Sequence, residues 1–353
     1  MTIQRPFLSV QASLGERYRR KLLELNLLDL SYKLVSENER LFFPLVQEST
    51  QEELEGTLDL TDFELGTREF PAIVSGPRTI HEALVGKLSV EELESLPRAY
   101  DLVGDIAVLE IPEELNKHRS LIGETFQSIH TNFSTILGKK GAIKGTTRTR
   151  QYEFLAGEDK TDTVHIEYGC RLAVDLAKAY FSPRLLEEHH QVAQKVSDGE
   201  LIVDLFTGVG PFAIHAAKNK DVRVIAVDIN PEAIKLLQKS IAMNKLAGRI
   251  DPVVSDAHEY CETAETQMAD RVIMNHPSGA FDYVSDACKI IRTGGTMHYY
   301  DFVGGDNPED HLTNKITNLV KASGRKIDDI ERVRRVRDSA PYEFQMVADV
   351  IIT

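Results

Sequence analysis

The segment ELIVDLFTGVGPFAIH at 200–215 constrains this chain more than any other. Residues 201–205, LIVDL, are a short run that is apolar but for Asp204, the mark of a strand buried on both faces of a parallel sheet. Thr207, Gly208, Val209 and Gly210 make a tight turn, where glycine lets the backbone bend sharply and a ligand approach closely. Pro211 opens a helix at the position where its missing N–H costs nothing. Strand, glycine turn and helix in that order predict a βαβ unit with a ligand at the carboxyl end of the strand.

The pattern then repeats. VRVIAVDINP at 222–231 is a second strand ending in Asp228, 24 residues after Asp204. A carboxylate there can hold both hydroxyls of a ribose. Pro231 starts a helix over 232–244. A third strand, 251–255, leads to Asp256, placed to accept from an adenine amino group. A fourth, 271–274, ends in Asn275, His276 and Pro277. Taken singly, each aspartate is equally well explained as the cap of the next helix. The ordered set, with Gly208 and Gly210, points to a nucleoside-bearing cofactor. Dinucleotide binders share the glycine turn, but no third glycine follows three positions after Gly210. Asp204 at the strand end would repel a pyrophosphate and face a cationic methionine group. S-adenosylmethionine is therefore the expected cofactor. Residues 294–300 read as a further strand, and 327–336 with 342–352 as a closing antiparallel pair around 339–341. The expected fold is α/β, a Rossmann-like class I methyltransferase domain with a seven-stranded, mostly parallel sheet.

At 353 residues the chain has room for two or three domains. The expected division is a small N-terminal recognition domain at 1–50, a linker at 51–77, an α+β domain at 78–180 and the cofactor domain at 181–353. The first contains a helix over 16–28 and a hairpin of 32–35 with 40–46. The acidic linker is tethered by Leu58, Leu60 and Phe63. In the third, 79–84 and 90–96 read as helices, the latter capped by Ser89. Residues 101–110 read as a strand, 113–126 as a helix, and 163–168 with 171–174 as strands turning at Gly169.

Cys170, Cys261 and Cys288 are scattered, without a C-x-x-C pair, so no zinc or disulfide framework is expected and a reducing cytoplasm fits. No apolar run approaches the roughly 18 residues of a membrane span, and the first twenty residues lack the apolar core of a secretion signal. The net charge of −14 argues against indiscriminate electrostatic coating of RNA. An RNA partner would have to be met by local patches. The densest basic stretch is 139–150, read with Gly141 and Gly145 as an exposed loop for phosphates or simply as a solvated loop. The run at 332–337 would place Arg335 and Arg337 on one strand face. Arg17, Arg19, Arg20 and Lys21 give the N-terminal domain a cationic face.

Seven stretches are similar to one known family: RTRQYEFLAGE at 148–158, YGCRLAVDLAKAYFSPRLLEEH at 168–189, VDLFTGVGPF at 203–212, VDINPEAI at 227–234, NHP at 275–277, GGTMHYY at 294–300 and SAPYEF at 339–344. Together they resemble the archaeal and eukaryotic-type tRNA (guanine-N1)-methyltransferases that act on position 37, the base 3′ of the anticodon. The similarity runs over most of 140–353, and 16–46 resembles the family's small N-terminal domain. AYFSPRLLEE is its most specific part, since a generic methyltransferase has no reason to carry it.

The resemblance implies Glu188 as general base, Arg150 as the stabiliser of guanine O6, and Arg184 and Asn275 beside the target base. It implies Tyr180, Phe206, Asn275 and Pro277 at the cofactor, with Asp204, Gly208, Gly210, Asp228 and Asp256. It implies tRNA as partner, gripped at anticodon loop and elbow, by a monomer without metal. The chemistry asks for the same residue types. Guanine N1 is no nucleophile until a base removes its proton, and the charge left on O6 wants a guanidinium. Two positions depart from the family: His189 stands where an arginine usually follows the base glutamate, and His276 where Asn-Leu-Pro is usual. His189 and His190 are adjacent and so diverge on a helix, which argues against a metal. Glu187 competes with Glu188 for the role of base. Methylation of a wyosine intermediate at the same position and aminocarboxypropyl transfer from the same cofactor remain alternatives. Arg184 and Asn275 disfavour the second. A non-catalytic RNA binder and a nicotinamide-dependent dehydrogenase are the readings from other classes.

Overall fold

The computed structural model describes residues 2–58, 62–73, 76–144 and 149–353, and resolves into two compact units, Met1–Arg78 and Thr79–Thr353. The expected contributions of Leu60 and of residues 145–148 lie outside the described residues.

In the first unit, the strand Thr2–Gln11 pairs antiparallel with Arg40–Pro44 on one side and Glu64–Pro71 on the other, and Val35–Glu37 forms the far edge. The helices Gly15–Glu24 and Gln51–Leu58 contribute Tyr18, Leu22, Leu54 and Leu58 to a core with Leu8, Val10, Phe43 and Phe63. The expected linker at 51–77 is thus corrected: it supplies a helix and a full edge strand. Glu52, Glu53, Asp62, Glu64 and Glu69 face water while Leu54, Leu58, Phe63 and Phe70 are buried. Few anchors suffice where a neighbouring strand supplies the hydrogen bonds, and this is why the composition reads as linker.

The second unit opens with a four-stranded sheet of Tyr100–Val103, Ile106–Leu109, Thr135–Lys144 and Thr149–Gly157, packed on the helix Arg119–Ile129. The single strand expected at 101–110 is a hairpin that turns at Gly104, whose φ is +56°. The helix expected at 113–126 begins as a 3-10 turn, Glu113–His118. The basic stretch is largely strand rather than loop. Lys139 is committed internally, 3.0 Å from both Asp101 and Glu110. Ser89 caps Val90–Glu94 in a reciprocal capping box.

The hairpin Asp162–Glu167 with Cys170–Asp175 turns through Tyr168 (φ +45°) and Gly169 (φ +77°), the two positive-φ positions of a tight hairpin turn. It packs on the helix Pro231–Met243, with the Ala173 amide donating to Ser240 Oγ at 2.9 Å in the buried interior. These residues belong to the cofactor domain's core, so the boundary expected at 180 falls too late.

The large sheet has seven strands, here β1 (Leu201–Asp204), β2 (Arg223–Asp228), β3 (Arg249–Val254), β4 (Ala269–Met274), β5 (Ile291–Gly304), β6 (Ile327–Ala340) and β7 (Glu343–Ile352). Their order is 3-2-1-4-5-7-6, with β1 to β5 parallel and β7 antiparallel to both neighbours. This is the expected methyltransferase sheet. Apolar side chains cover both faces. One face continues into Val103, Ile106, Val108 and Leu137 of the four-stranded sheet, so the two sheets share a core. Among the described residues, no helix is long and apolar enough to cross a membrane.

Candidate active site

The strand order reverses between β1 and β4, and ligands of open α/β sheets bind at such a point. A cavity of roughly 400 Å³ opens there. Its floor is the turn after β1. Gly208 (φ +56°) and Gly210 (φ +82°) both take the left-handed conformation that other residues avoid. A Cβ on Gly210 would lie 2.2 Å from Leu237 Cδ1, whereas one on Gly208 would meet nothing closer than the Tyr180 carbonyl oxygen, at 3.7 Å. Gly210 is therefore demanded by the core behind the turn, and Gly208 by the turn itself.

Asp228 ends β2 and lines the cavity. It accepts from the Gly208 amide at 2.7 Å and the Asn230 amide at 2.8 Å, one on each oxygen. Burial pushes its pKa up, against the pull of those two amides. A carboxylate offers about four acceptor positions, so two are left for a pair of hydroxyls. Phe206 stacks on His276, ring centroids 5.0 Å apart, and meets Tyr283 edge-on at 5.1 Å. This aromatic group lines the same space as Asp256, whose Oδ1 also caps the following helix through the His258 amide at 2.8 Å. Tyr180, Asn275 and Pro277 complete the expected set around this cavity. The Gln345 amide donates to Asn275 Oδ1 at 3.3 Å, and Arg337 Nε donates to Gln345 Oε1 at 2.7 Å. The carboxylate acceptors and aromatic faces fit a nucleoside with a vicinal diol.

Asp204 is placed differently from the expectation. It is fully buried, does not line this cavity, and neither carboxyl oxygen has a hydrogen-bond partner of good geometry. Burial pushes its pKa up to about 7, while the Thr207 hydroxyl and the Phe206 amide pull it down. It lies beneath the glycine turn rather than facing a ligand.

Arg150 and Arg184 line a second cavity, also roughly 400 Å³, which shares Tyr180, Phe181, Ser182 and Arg337 with the first. Arg150 donates to the Gly141 carbonyl at 3.0 Å. Arg184 Nε donates to Asp101 Oδ1 at 2.7 Å, beside Lys139. Burial would raise Asp101, but Lys139 and Arg184 hold its carboxyl below the usual range.

Glu188 lines neither cavity. Its helix, Leu186–Lys195, presents His189 to the first cavity, as the preceding turn presents Leu185. The Glu188 carboxylate turns toward the sheet instead, because a buried charge needs partners. It takes the Tyr300 hydroxyl of β5 on Oε1 at 2.7 Å and pairs through Oε2 with Arg334 of β6. Glu187 lies at the surface, bound to Tyr168 and Gln191.

Sequence reading missed Arg334, Tyr300 and Gln345 as partners of site residues. The arginine run was visible, but simple alternation misplaces it. β6 shifts register four times, including between Arg335 and Arg337. Arg334 thereby turns to Glu188, Arg335 lies over Phe344 at 4.0 Å, and Arg337 reaches both cavities. Gln345 carries no local signal at all.

Comparison with known proteins agrees with this architecture. Residues 8–53 match the tRNA methyltransferase 5 N-terminal domain, 80–161 the TYW2 N-terminal domain, and 163–331 the TRM5/TYW2 methyltransferase domain. The tRNA (guanine(37)-N(1))-methyltransferase Trm5b of Pyrococcus abyssi is 35% identical over 95% of each chain. Trm5b of Methanocaldococcus jannaschii is 36% identical over 97% of each. A solved complex of aTrm5 with tRNALeu superposes with a TM-score of 0.79 at 36% identity, covering 98% of this chain and 99% of that one. With this sheet order, this cavity and relatives similar along nearly the whole length, the chain belongs to the family of tRNA (guanine(37)-N(1))-methyltransferases.

Proposed function

We propose that this protein transfers the methyl group of S-adenosylmethionine to N1 of guanosine 37 in tRNA, acting as a monomer in the cytoplasm. The observation that carries the reading is the pair of cavities with a common wall at Tyr180–Ser182: one holds the carboxylates and aromatic faces for a nucleoside cofactor, and the other the guanidinium groups of Arg150, Arg184 and Arg337. The relatives named for this reaction, and the relative solved with tRNALeu, support it.

S-adenosylmethionine bound in the first cavity supplies a methyl group activated on a sulfonium. Asp228 would take its ribose hydroxyls, Phe206 its adenine face and Asp256 its amino group. The target guanine must leave the loop stack to be reached, and the second cavity is where Arg150 and Arg184 await it. Arg150 exchanges the Gly141 carbonyl for guanine O6 and stabilises the charge that develops there. Asn275, steadied by Gln345, positions the base. Glu188 takes the N1 proton. To do so it must leave Tyr300 and Arg334, a side-chain rotation that tRNA binding would drive by drawing Arg334 to phosphate. The exposed Arg17, Arg19 and Arg20 would grip the elbow.

Incubating the protein with unmodified tRNA and methyl-labelled S-adenosylmethionine, followed by nucleoside mass spectrometry, tests this. The expected product is N1-methylguanosine. An aminocarboxypropyl mass, or product only from a tricyclic precursor, would favour the alternatives. Glu188→Gln should lose on the order of 10² or more in rate while binding cofactor normally. Near-normal turnover would remove Glu188 from the mechanism.

A further inference from the structure

Glu167, His189 and His215 come from three elements: the strand Asp162–Glu167, the helix Leu186–Lys195 and the helix Pro211–Asn219. All three side chains are buried. His189 Nδ1 lies 2.7 Å from Glu167 Oε2, His215 Nε2 lies 3.3 Å from the same oxygen, and the three ligand atoms fall within 4.8 Å of one another. We propose that these residues form a binding site for a divalent transition-metal ion of the zinc class, behind the wall of the first cavity.

The donor set carries the proposal first. Two imidazoles and a carboxylate, converging in a dry interior, are a ligand set that zinc prefers. The second observation is what the cluster leaves unmade. His215 Nε2 and Glu167 Oε1 are buried without a hydrogen bond, although buried polar atoms nearly always have one. A metal on His215 Nε2 would occupy that lone pair. Metal–ligand bonds of about 2.0–2.2 Å at tetrahedral angles put neighbouring donors about 3.3–3.5 Å apart. The His215–Glu167 pair already has that spacing, and the His189–Glu167 pair has to open by roughly half an ångström. The outer contacts also fit. The Gly104 amide donates to His165 Nδ1 at 3.0 Å and fixes that ring, whose Nε2 stands 3.5 Å from Glu167 Oε1, beyond a good hydrogen bond.

Adjacent histidines do diverge on a helix, as the sequence suggests. His190 stacks on Tyr168, centroids 3.9 Å apart, while His189 turns inward. The partner of His189 is not its neighbour but His215, one helix further on, a pairing no spacing rule reveals. His189, Pro211 and Phe212 all line the first cavity, so an ion here would fasten the two helices that wall it.

Without metal the cluster is a closed ion-pair group. Burial would raise Glu167, but His165, His189 and His215 hold its carboxyl far below the usual range. Burial pulls His215 down, yet Cys170 and Glu167 outweigh it and lift it to about 9.

The test uses the full chain, stripped with a chelator, and cobalt(II) as the probe. The expected result is the visible spectrum of tetrahedral cobalt at one equivalent, bleached by one equivalent of zinc, with a melting temperature several degrees higher in zinc. Glu167→Gln and His215→Gln should weaken cobalt binding by roughly a hundredfold or more, and His190→Gln should leave it unchanged. If the wild-type chain gives neither spectrum nor melting shift, or if the spectrum survives in both variants, the proposal is overturned and the cluster is an ion-pair group only. The wild-type readout stands even if a variant fails to fold. It involves no methyl transfer, so it fails or succeeds independently of the proposed reaction.

Discussion

Gly210→Ala separates the structural demand on the glycine turn from its ligand-binding demand. An alanine at φ +82° bears a left-handed backbone cost of about 1–2 kcal/mol. Its methyl would also stand 2.2 Å from Leu237 Cδ1, and Leu237 is fully buried. Overpacking of that kind costs about 1–3 kcal/mol. The sum, about 2–5 kcal/mol, should lower the melting temperature by roughly 3–9 °C in a unit of this size. Gly208→Ala bears the backbone cost of about 1–2 kcal/mol alone, because its new methyl meets nothing within 3.7 Å. That methyl points into the cofactor cavity, so its effect should appear in S-adenosylmethionine affinity. The decisive measurement is a double-mutant cycle by denaturant unfolding. Leu237→Ala removes the clashing methyl, and in that background Gly210→Ala should cost only the backbone strain. Equal cost in both backgrounds would refute the steric argument. So would a Gly208→Ala variant that loses as much stability as Gly210→Ala.

Three other outcomes are expected. Asp204 is held at about 7 by burial, above its unfolded value, so the folded state keeps this proton longer than the unfolded one and the ionised form costs stability. Wild-type stability should therefore fall relative to Asp204→Asn as pH rises from about 4 to about 7, by at most about 4 kcal/mol; unfolding curves whose difference is flat across that range would contradict it. Phe206→Ala removes the ring stacked on His276 and should weaken S-adenosylmethionine binding roughly tenfold, read by calorimetric titration. Arg271 forks onto Glu200, at 2.8 and 3.1 Å, and reaches His298 at 2.8 Å within the interior; Arg271→Met strands that carboxylate and should cost about 3–5 kcal/mol, and an unchanged melting curve would show the network to be dispensable.

The cofactor half of the protein was legible because its signals are local. Gly208, Gly210, Pro211 and Asp228 each follow from a rule that spans a few residues, and the sheet order confirms the architecture they imply. The N-terminal sheet was not legible for the opposite reason. Thr2–Gln11 and Glu64–Pro71 stabilise each other across more than fifty residues, and neither shows clean alternation. The strands Thr135–Lys144 and Thr149–Gly157 were hidden by lysines and glycines that read as loop until Asp101 and Glu110 supply the countercharge. At the site, type and position were readable but orientation was not. Glu188 could be named, but the sequence gives no hint that Arg334, 146 residues later, holds it.

The continuous interior beneath the two sheets limits how this protein can be taken apart. Val103, Ile106, Val108 and Leu137 are seated among residues of the cofactor domain, so a cut near residue 162 would strip both fragments of a common apolar seam. Residues 79–353 should melt in a single cooperative step, and a shortened methyltransferase half would be expected to precipitate rather than persist as a working module. Exchange of this domain between relatives must therefore carry both sheets together.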